Sequence, residues 1–238
     1  YVSIFTDKTF LTSLWKTFVY VFFVVVFSNV LGLALALLLT YGIKLQGLFR
    51  TCFFAANMIG GVVMGYIWNY IFSFALTKIG AVTGWSIFQK SWLTSPNTAL
   101  ISLIIVAVWQ LSGYLMVIYV AGLTNVSQDM LEAAKIDGCT RLQIFFKIVL
   151  PLMKPILSTI TILNTLGLWN DYLLPNLVLG KKALYTLPLA IRTFYGTFSN
   201  DLGKIMAALV MIVAPIIVVY IFLQKYIIGG VVAGAVKS

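Results

Sequence analysis

Long apolar runs separated by short polar breaks dominate the chain. Five of them reach the length of about 20 residues that a helix needs to cross the hydrocarbon of a bilayer. They cover residues 11–39, 51–74, 99–123, 152–174 and 204–228. The first exceeds the requirement, which predicts tilt or an interfacial first turn around Trp15 and Lys16. Gly60 and Gly61 in the second predict a close backbone contact or a local break, and Pro215 in the fifth predicts a kink. Residues 75–97 mix Lys78, Trp85, Lys90 and Trp92 with glycine, the pattern of a loop held at the membrane interface. Between the fourth and fifth runs, Leu184, Leu187, Ile191, Phe194 and Tyr195 recur loosely at helical spacing, which predicts a helix lying on the membrane surface.

The one polar segment dense enough to form a module lies at residues 127–147. A helix is expected after Ser127, whose hydroxyl can cap the first free amides, with Asp129 and Glu132 near the positive end of the helix dipole. Gly138 permits the turn that stops it. Thr140 then opens a second helix, and Gln143 three residues later completes a capping box ahead of Ile144, Phe145 and Phe146. Pro151 is expected to reset the chain for the next span. A helix, a glycine corner and a helix outside the membrane make a shape for docking against another protein.

Composition sharpens this picture. Hydrophobic residues make up 61% of the chain and charged residues 9%, with a mean hydropathy of +1.03, which excludes an ordinary soluble domain. The net charge of +10 is scattered over short loops rather than gathered into a stripe, so it fits a membrane surface and not nucleic acid. The chain has no histidine and its six acidic residues stand apart, which removes the usual general bases, triads and metal clusters. Cys52 and Cys139 are expected to be free thiols. No G-x-x-x-x-G-K-[ST] stretch is present, so if ATP drives this protein, another chain binds and hydrolyses it.

Polar residues inside the apolar runs are the other candidates. Asn57 lies beside the paired glycines, Trp109 and Gln110 near the middle of the third run, and Asn164, Trp169, Asn170 and Asp171 in the fourth. Amides and aromatic rings suit a sugar, whose hydroxyls want hydrogen bonds and whose ring faces want stacking. They suit helix packing equally, and both readings stay open. A carboxylate at the bilayer centre costs roughly 2.5–3.5 kcal/mol, which puts Asp171 near an aqueous face.

Glu132-Ala133-Ala134, then Gly138, then Ile148, Leu150 and Pro151 resemble in residue type and spacing the "EAA" signature of permease subunits of binding-protein-dependent ABC importers; Asp137 and Pro155 also stand where that family has them. Trp169-Asn170-Asp171-Tyr172 and the ending Ala233-Gly234-Ala235-Val236-Lys237 resemble elements of the carbohydrate-uptake, maltose-type branch. The resemblance implies an all-α membrane protein with the type I ABC importer permease fold. That means the five transmembrane helices visible here, a further helix ahead of Tyr1, and a cytoplasmic coupling helix within a single permease domain. It assigns coupling to Glu132, Ala133, Ala134, Asp137, Gly138, Arg141, Ile148, Leu150 and Pro151, with Glu132 meeting a basic group on the partner. It implies as partners two ABC ATPase subunits that bind ATP and magnesium, a second and non-identical permease, an extracytoplasmic solute-binding protein and the lipid bilayer of a prokaryotic cell membrane. This chain itself is then non-catalytic and holds no cofactor. Two other classes compete: an ATP-independent secondary transporter or channel, which calls for intramembrane ionisable relays or paired broken helices, and a non-transporting scaffold subunit.

Charge does not orient the five-span arrangement. Lys44, Arg50, Lys135, Arg141, Lys147, Lys154, Lys225 and Lys237 fall on one face, and Lys8, Lys16, Lys78, Lys90, Lys181, Lys182, Arg192 and Lys204 on the other, eight against eight of the sixteen. The resemblance places the module and the C-terminal residues in the cytoplasm. A protease-accessibility map is therefore expected to show cleavage at Arg141 only from the cytoplasmic side; cleavage there from outside would reverse the topology.

Overall fold

The computed structural model describes residues 8–40, 45–180 and 184–191, and residues 203, 206–207, 209–218, 220–221 and 224 beyond them. Every regular element among the described residues is helical. In chain order they are α1 (Lys8–Thr40), α2 (Gln46–Met58), α3 (Gly61–Thr83), α4 (Pro96–Thr124), α5 (Gln128–Ile136), α6 (Arg141–Trp169), α7 (Leu173–Val178), α8 (Leu187–Ile191) and α9 (Leu209–Val218). Four of these, α1 from Phe10, α3, α4 and α6, are long and apolar enough to cross a membrane. The fifth expected span, residues 204–228, is described only in part, through α9 with Pro215 inside it. Lys181, Lys182, Arg192, Phe194, Tyr195 and the ending 233–237 lie outside the described residues.

Large apolar side chains on α1, among them Phe18, Phe22, Val30 and Leu38, remain exposed. A helix apolar on all sides is expected where lipid replaces water as the outer solvent.

The second span differs from the expected 51–74. The chain is helical over α2, breaks at Ile59 and Gly60, and resumes as α3, which continues to Thr83 through a π-helical turn at Ile71–Ala75. Gly60 is extended (φ −57°, ψ 139°), so the paired glycines act as a break between two helices. Much of the expected interface loop is consequently helix. Its remainder folds back, stacking Trp92 between Phe72 and Phe88 at ring-centroid distances of 6.0 and 5.8 Å.

Contacts divide the chain into two units. One comprises Tyr1–Val25, Ile59–Val108 and Thr165–Val218; the other Val26–Met58, Trp109–Asn164 and Val219–Ser238. In the first unit α7 lies on α3 because Gly65 offers no side chain: a Cβ there would stand 2.5 Å from Leu177 Cβ. The expected surface helix is not found in the described part of 175–203. Leu184, Thr186, Leu187, Leu189, Ala190 and Ile191 are all buried, so this segment is buried around most of its circumference rather than on one face. Burying short helices exposes their end groups to desolvation, and side chains meet that cost. Asp171 Oδ1 accepts the Leu174 N–H at 3.4 Å, Asn69 Nδ2 donates to the Leu177 carbonyl at 3.0 Å, and Thr17 Oγ1 accepts the Leu187 N–H at 2.7 Å.

The second unit is built around Leu39, Tyr119, Leu123, Ala134, Ile144 and Met153. Asn29 of α1 accepts hydrogen bonds from the Tyr119 hydroxyl of α4 and, at 3.2 Å, from the Thr161 hydroxyl of α6. Gly113 brings α4 against the backbone of α2, since a Cβ on it would stand 2.0 Å from the Phe53 carbonyl oxygen. Gly167, by contrast, has open space where a Cβ would go. Gly113→Ala is therefore expected to lower thermal stability in detergent by about 1–3 kcal/mol of overpacking, whereas Gly167→Ala is neutral or stabilising by up to about 1 kcal/mol. Equal melting temperatures for the two variants would contradict this packing.

Candidate functional site

The module forms within the second unit, and its corner is defined by hydrogen bonds. α5 ends at Ile136, and Gly138 adopts φ +77°, a conformation in which a side chain would be strained. The Gly138 N–H donates to the Lys135 carbonyl at 3.1 Å and the Cys139 N–H to the Ala134 carbonyl at 3.0 Å. This is the paired arrangement of a Schellman motif, and Cys139 packs on the core that Ala134 enters. Two residues later Thr140 caps α6. Its hydroxyl accepts the Gln143 N–H at 3.3 Å while Gln143 Oε1 accepts the Thr140 N–H at 2.8 Å, the full capping box. Ser127 stands at the N-cap of α5 but its side chain makes no capping bond, so that expectation is corrected.

Pro151 does not reset the chain. α6 runs unbroken from Arg141 through Pro151 and Pro155 to Trp169. A proline lacks the N–H and crowds the carbonyl four residues earlier, here that of Lys147. The helix widens into a π-helical turn at Phe145–Val149 just before this position. The module and the fourth span are therefore one helix.

Of the residues assigned to coupling, Glu132, Ala133, Asp137, Gly138, Arg141 and Pro151 are exposed, Ile148 and Leu150 are half-buried, and Ala134 is buried in the unit's own core. Only one alanine of the pair thus faces outward. Sequence reasoning passed over the apolar side chains that flank the corner. Ile136 is 85% exposed and Leu142 70%, with Met130 and Phe146 also exposed. The signal was present: in a segment whose helices bury Ala134 and Ile144 inward, Ile136 and Leu142 fall on other faces of the same turns.

The intramembrane polar residues divide between the units. Trp169, Asn170 and Asp171 belong to the first; Asn57, Trp109, Gln110 and Asn164 belong to the second. Trp169 is buried and its indole donates to the Ile212 carbonyl at 3.1 Å; Asn170 is exposed and donates to the Leu166 carbonyl at 2.9 Å. Asp171 accepts the Leu174 N–H and, at 3.4 Å, the hydroxyl of the buried Tyr20. Asn57 and Gln110 are half-buried and Trp109 is exposed. Asn164 Nδ2 is buried with no hydrogen-bond partner among the described residues.

Residues 28–232 match the family model described as "Binding-protein-dependent transport system inner membrane component". The chain is 35% identical over 208 residues to the "Probable starch degradation products transport system permease protein AmyD" of Thermoanaerobacterium thermosulfurigenes, covering 85% of this chain and 70% of that one. It is 38% identical over 114 residues to the "Arabinooligosaccharides transport system permease protein AraQ" of Bacillus subtilis, covering 48% of this chain and 41% of that one. Among solved structures, its fold resembles a chain of a bacterial ABC transporter involved in the import of the acidic polysaccharide alginate. The TM-score is 0.77 at 16% identity, covering 94% of this chain and 80% of that chain.

The cap at Thr140 holds the start of α6, so Thr140→Ala is expected to cost about 1 kcal/mol of local stability. Hydrogen exchange is expected to quicken at Leu142 and Gln143 and to stay unchanged in α4. Unchanged exchange at Gln143 would show that the capping box does not hold this turn.

Proposed function

The chain belongs to the family of inner membrane components of binding-protein-dependent transport systems, and we propose that it is the permease subunit of an ATP-driven importer for a sugar or oligosaccharide. It is a multi-pass membrane protein. The observation that carries the reading is the module. The signature from Glu132 to Pro151 folds into a corner with Ile136 and Leu142 projecting beside exposed Glu132, Asp137 and Arg141. Two exposed apolar side chains with charged neighbours in sequence offer an anchor for a cleft in another protein.

In this mechanism two cytoplasmic ATPase subunits bind ATP and magnesium, and each holds the module of one permease. Their closure carries the modules with them. Because α6 is one helix of 29 residues, about 43 Å long, a displacement at Arg141 passes into the fourth span without an intervening loop. The membrane helices then switch between inward- and outward-facing states, which requires the module to stay attached in both. A second, non-identical permease completes the pathway, and a solute-binding protein delivers the solute from outside. The names of AmyD and AraQ support an oligosaccharide, as does the neutral set Asn57, Trp109, Gln110 and Asn164. Asn164 Nδ2, buried with no hydrogen-bond partner among the described residues, is a donor that a solute hydroxyl could engage only in a state that opens to it.

Purification of the chain from its native membrane is expected to bring an ATPase, a second permease and a solute-binding protein with it; the chain emerging alone would overturn the importer reading. Ile136→Asp with Leu142→Asp is expected to reduce ATPase co-purification at least tenfold, the effect of losing a binding hot spot of about 2 kcal/mol, while membrane insertion is unchanged. Gly138→Leu is expected to abolish solute uptake.

A further inference from the structure

Beside the corner, the second unit forms a half-open cavity of about 430 Å³, within the roughly 300–1,000 Å³ of small-molecule sites. Its apolar walls include Leu37, Leu123, Ile144 and Val149. Leu37 belongs to the last turn of α1, Leu123 to the last turn of α4, and Ile144 and Val149 to the first turns of α6. Two membrane-spanning helices thus end at the cavity and a third begins there within the module, so the cavity lies where these helices leave the length needed to cross the hydrocarbon. Among the described residues, the charged ones lining it are Lys135 and Arg141, both exposed, and no carboxylate lines it although Asp129, Glu132 and Asp137 belong to the same module.

Apolar walls at the depth where spans end, joined by two cations without a counter-charge among the described lining residues, match an amphiphile with an anionic head. Basic pockets between transmembrane helices at the membrane surface select anionic lipid head groups. A free phosphate would leave the walls without a partner, and a head group carrying its own cation would leave the two basic residues undercompensated. Arg141 is the first residue of α6, so an anion beside it also meets the positive end of the helix dipole.

We propose that this cavity binds one anionic phospholipid, its phosphate held by Lys135 and Arg141 and its acyl chain lying against Leu37, Leu123, Ile144 and Val149. The lipid bridges the last turn of α5 and the first turn of α6, one on each side of Gly138, and so steadies the corner from the membrane side.

Native mass spectrometry of the full complex, released from nanodiscs containing equal phosphatidylglycerol and phosphatidylcholine, tests this directly. One phosphatidylglycerol per chain is expected to be retained in preference to phosphatidylcholine. Lys135→Gln and Arg141→Gln are each expected to lower that retention about fivefold, and the double variant roughly 25-fold. Arg141→Lys keeps it, as does Lys147→Gln, an exposed module lysine outside the cavity. Equal retention of both lipids, or retention unaffected by the double variant, would overturn the proposal. So would displacement of the lipid by millimolar inorganic phosphate, which marks a plain anion site. A photoreactive phosphatidylglycerol is expected to label residues 127–147 of the unaltered chain, and labelling confined elsewhere would also overturn it. None of these readouts depends on solute or ATP, so they can fail while the importer reading stands.

Discussion

A backbone amide that loses its helical partner inside the hydrocarbon or inside protein has no water to turn to, and one at a chain reversal is held in place only if something else accepts its bond. Much of this structure answers these two constraints. Helices satisfy them over their length; the difficulty lies wherever the chain reverses or enters the protein without completing a span. At the module the solution is internal, because the Schellman bonds at Gly138 and the capping box at Thr140 and Gln143 close the last turn of α5 and the first of α6 within a few residues. In the first unit the solution is borrowed. Asp171, Asn69 and Thr17 lend side chains to the ends of α7 and α8, which allows apolar segments too short to span to be buried among longer helices.

That distinction explains what could be read from the sequence. The glycine corner and the capping box depend on residues two to four positions apart, and Gly138, Thr140 and Gln143 announce them. The fourth span was visible as an apolar run, but its fusion with the module was not. Pro151 is a strong local stop signal, yet the helix continues through it just after the widened turn at Phe145–Val149, and through Pro155 as well. Burial of Leu187 to Ile191 was equally hidden, since it depends on Thr17, 170 residues away in sequence. An apolar stretch of that length reads the same whether it rests on lipid or lies inside protein.

The same reasoning reorders the polar residues of the membrane region. Trp169 and Asp171 stood out in the sequence because polar groups are costly in hydrocarbon, and the structure occupies both with scaffold hydrogen bonds. Asn29, which did not stand out, ties three helices of the second unit through Tyr119 and Thr161. Asn164, three residues beyond Thr161 on α6, keeps a buried donor without a hydrogen-bond partner among the described residues. A polar residue that the fold does not consume is a better guide to solute chemistry than one that is merely conspicuous.

The π-helical turn at Phe145–Val149 fixes a rotational phase. A π turn accommodates one more residue than an α turn, and each α-helical residue advances the helix by about 100°. The faces of α6 before and after the turn are therefore offset by roughly that angle from where an uninterrupted α-helix would put them. Ile144 points into the core on one side of the turn and Met153 on the other. Relaxing the turn to α geometry would swing one of them out while leaving every residue of the signature in place. The spacing between Gly138 and Pro151 thus encodes an angle as well as a distance.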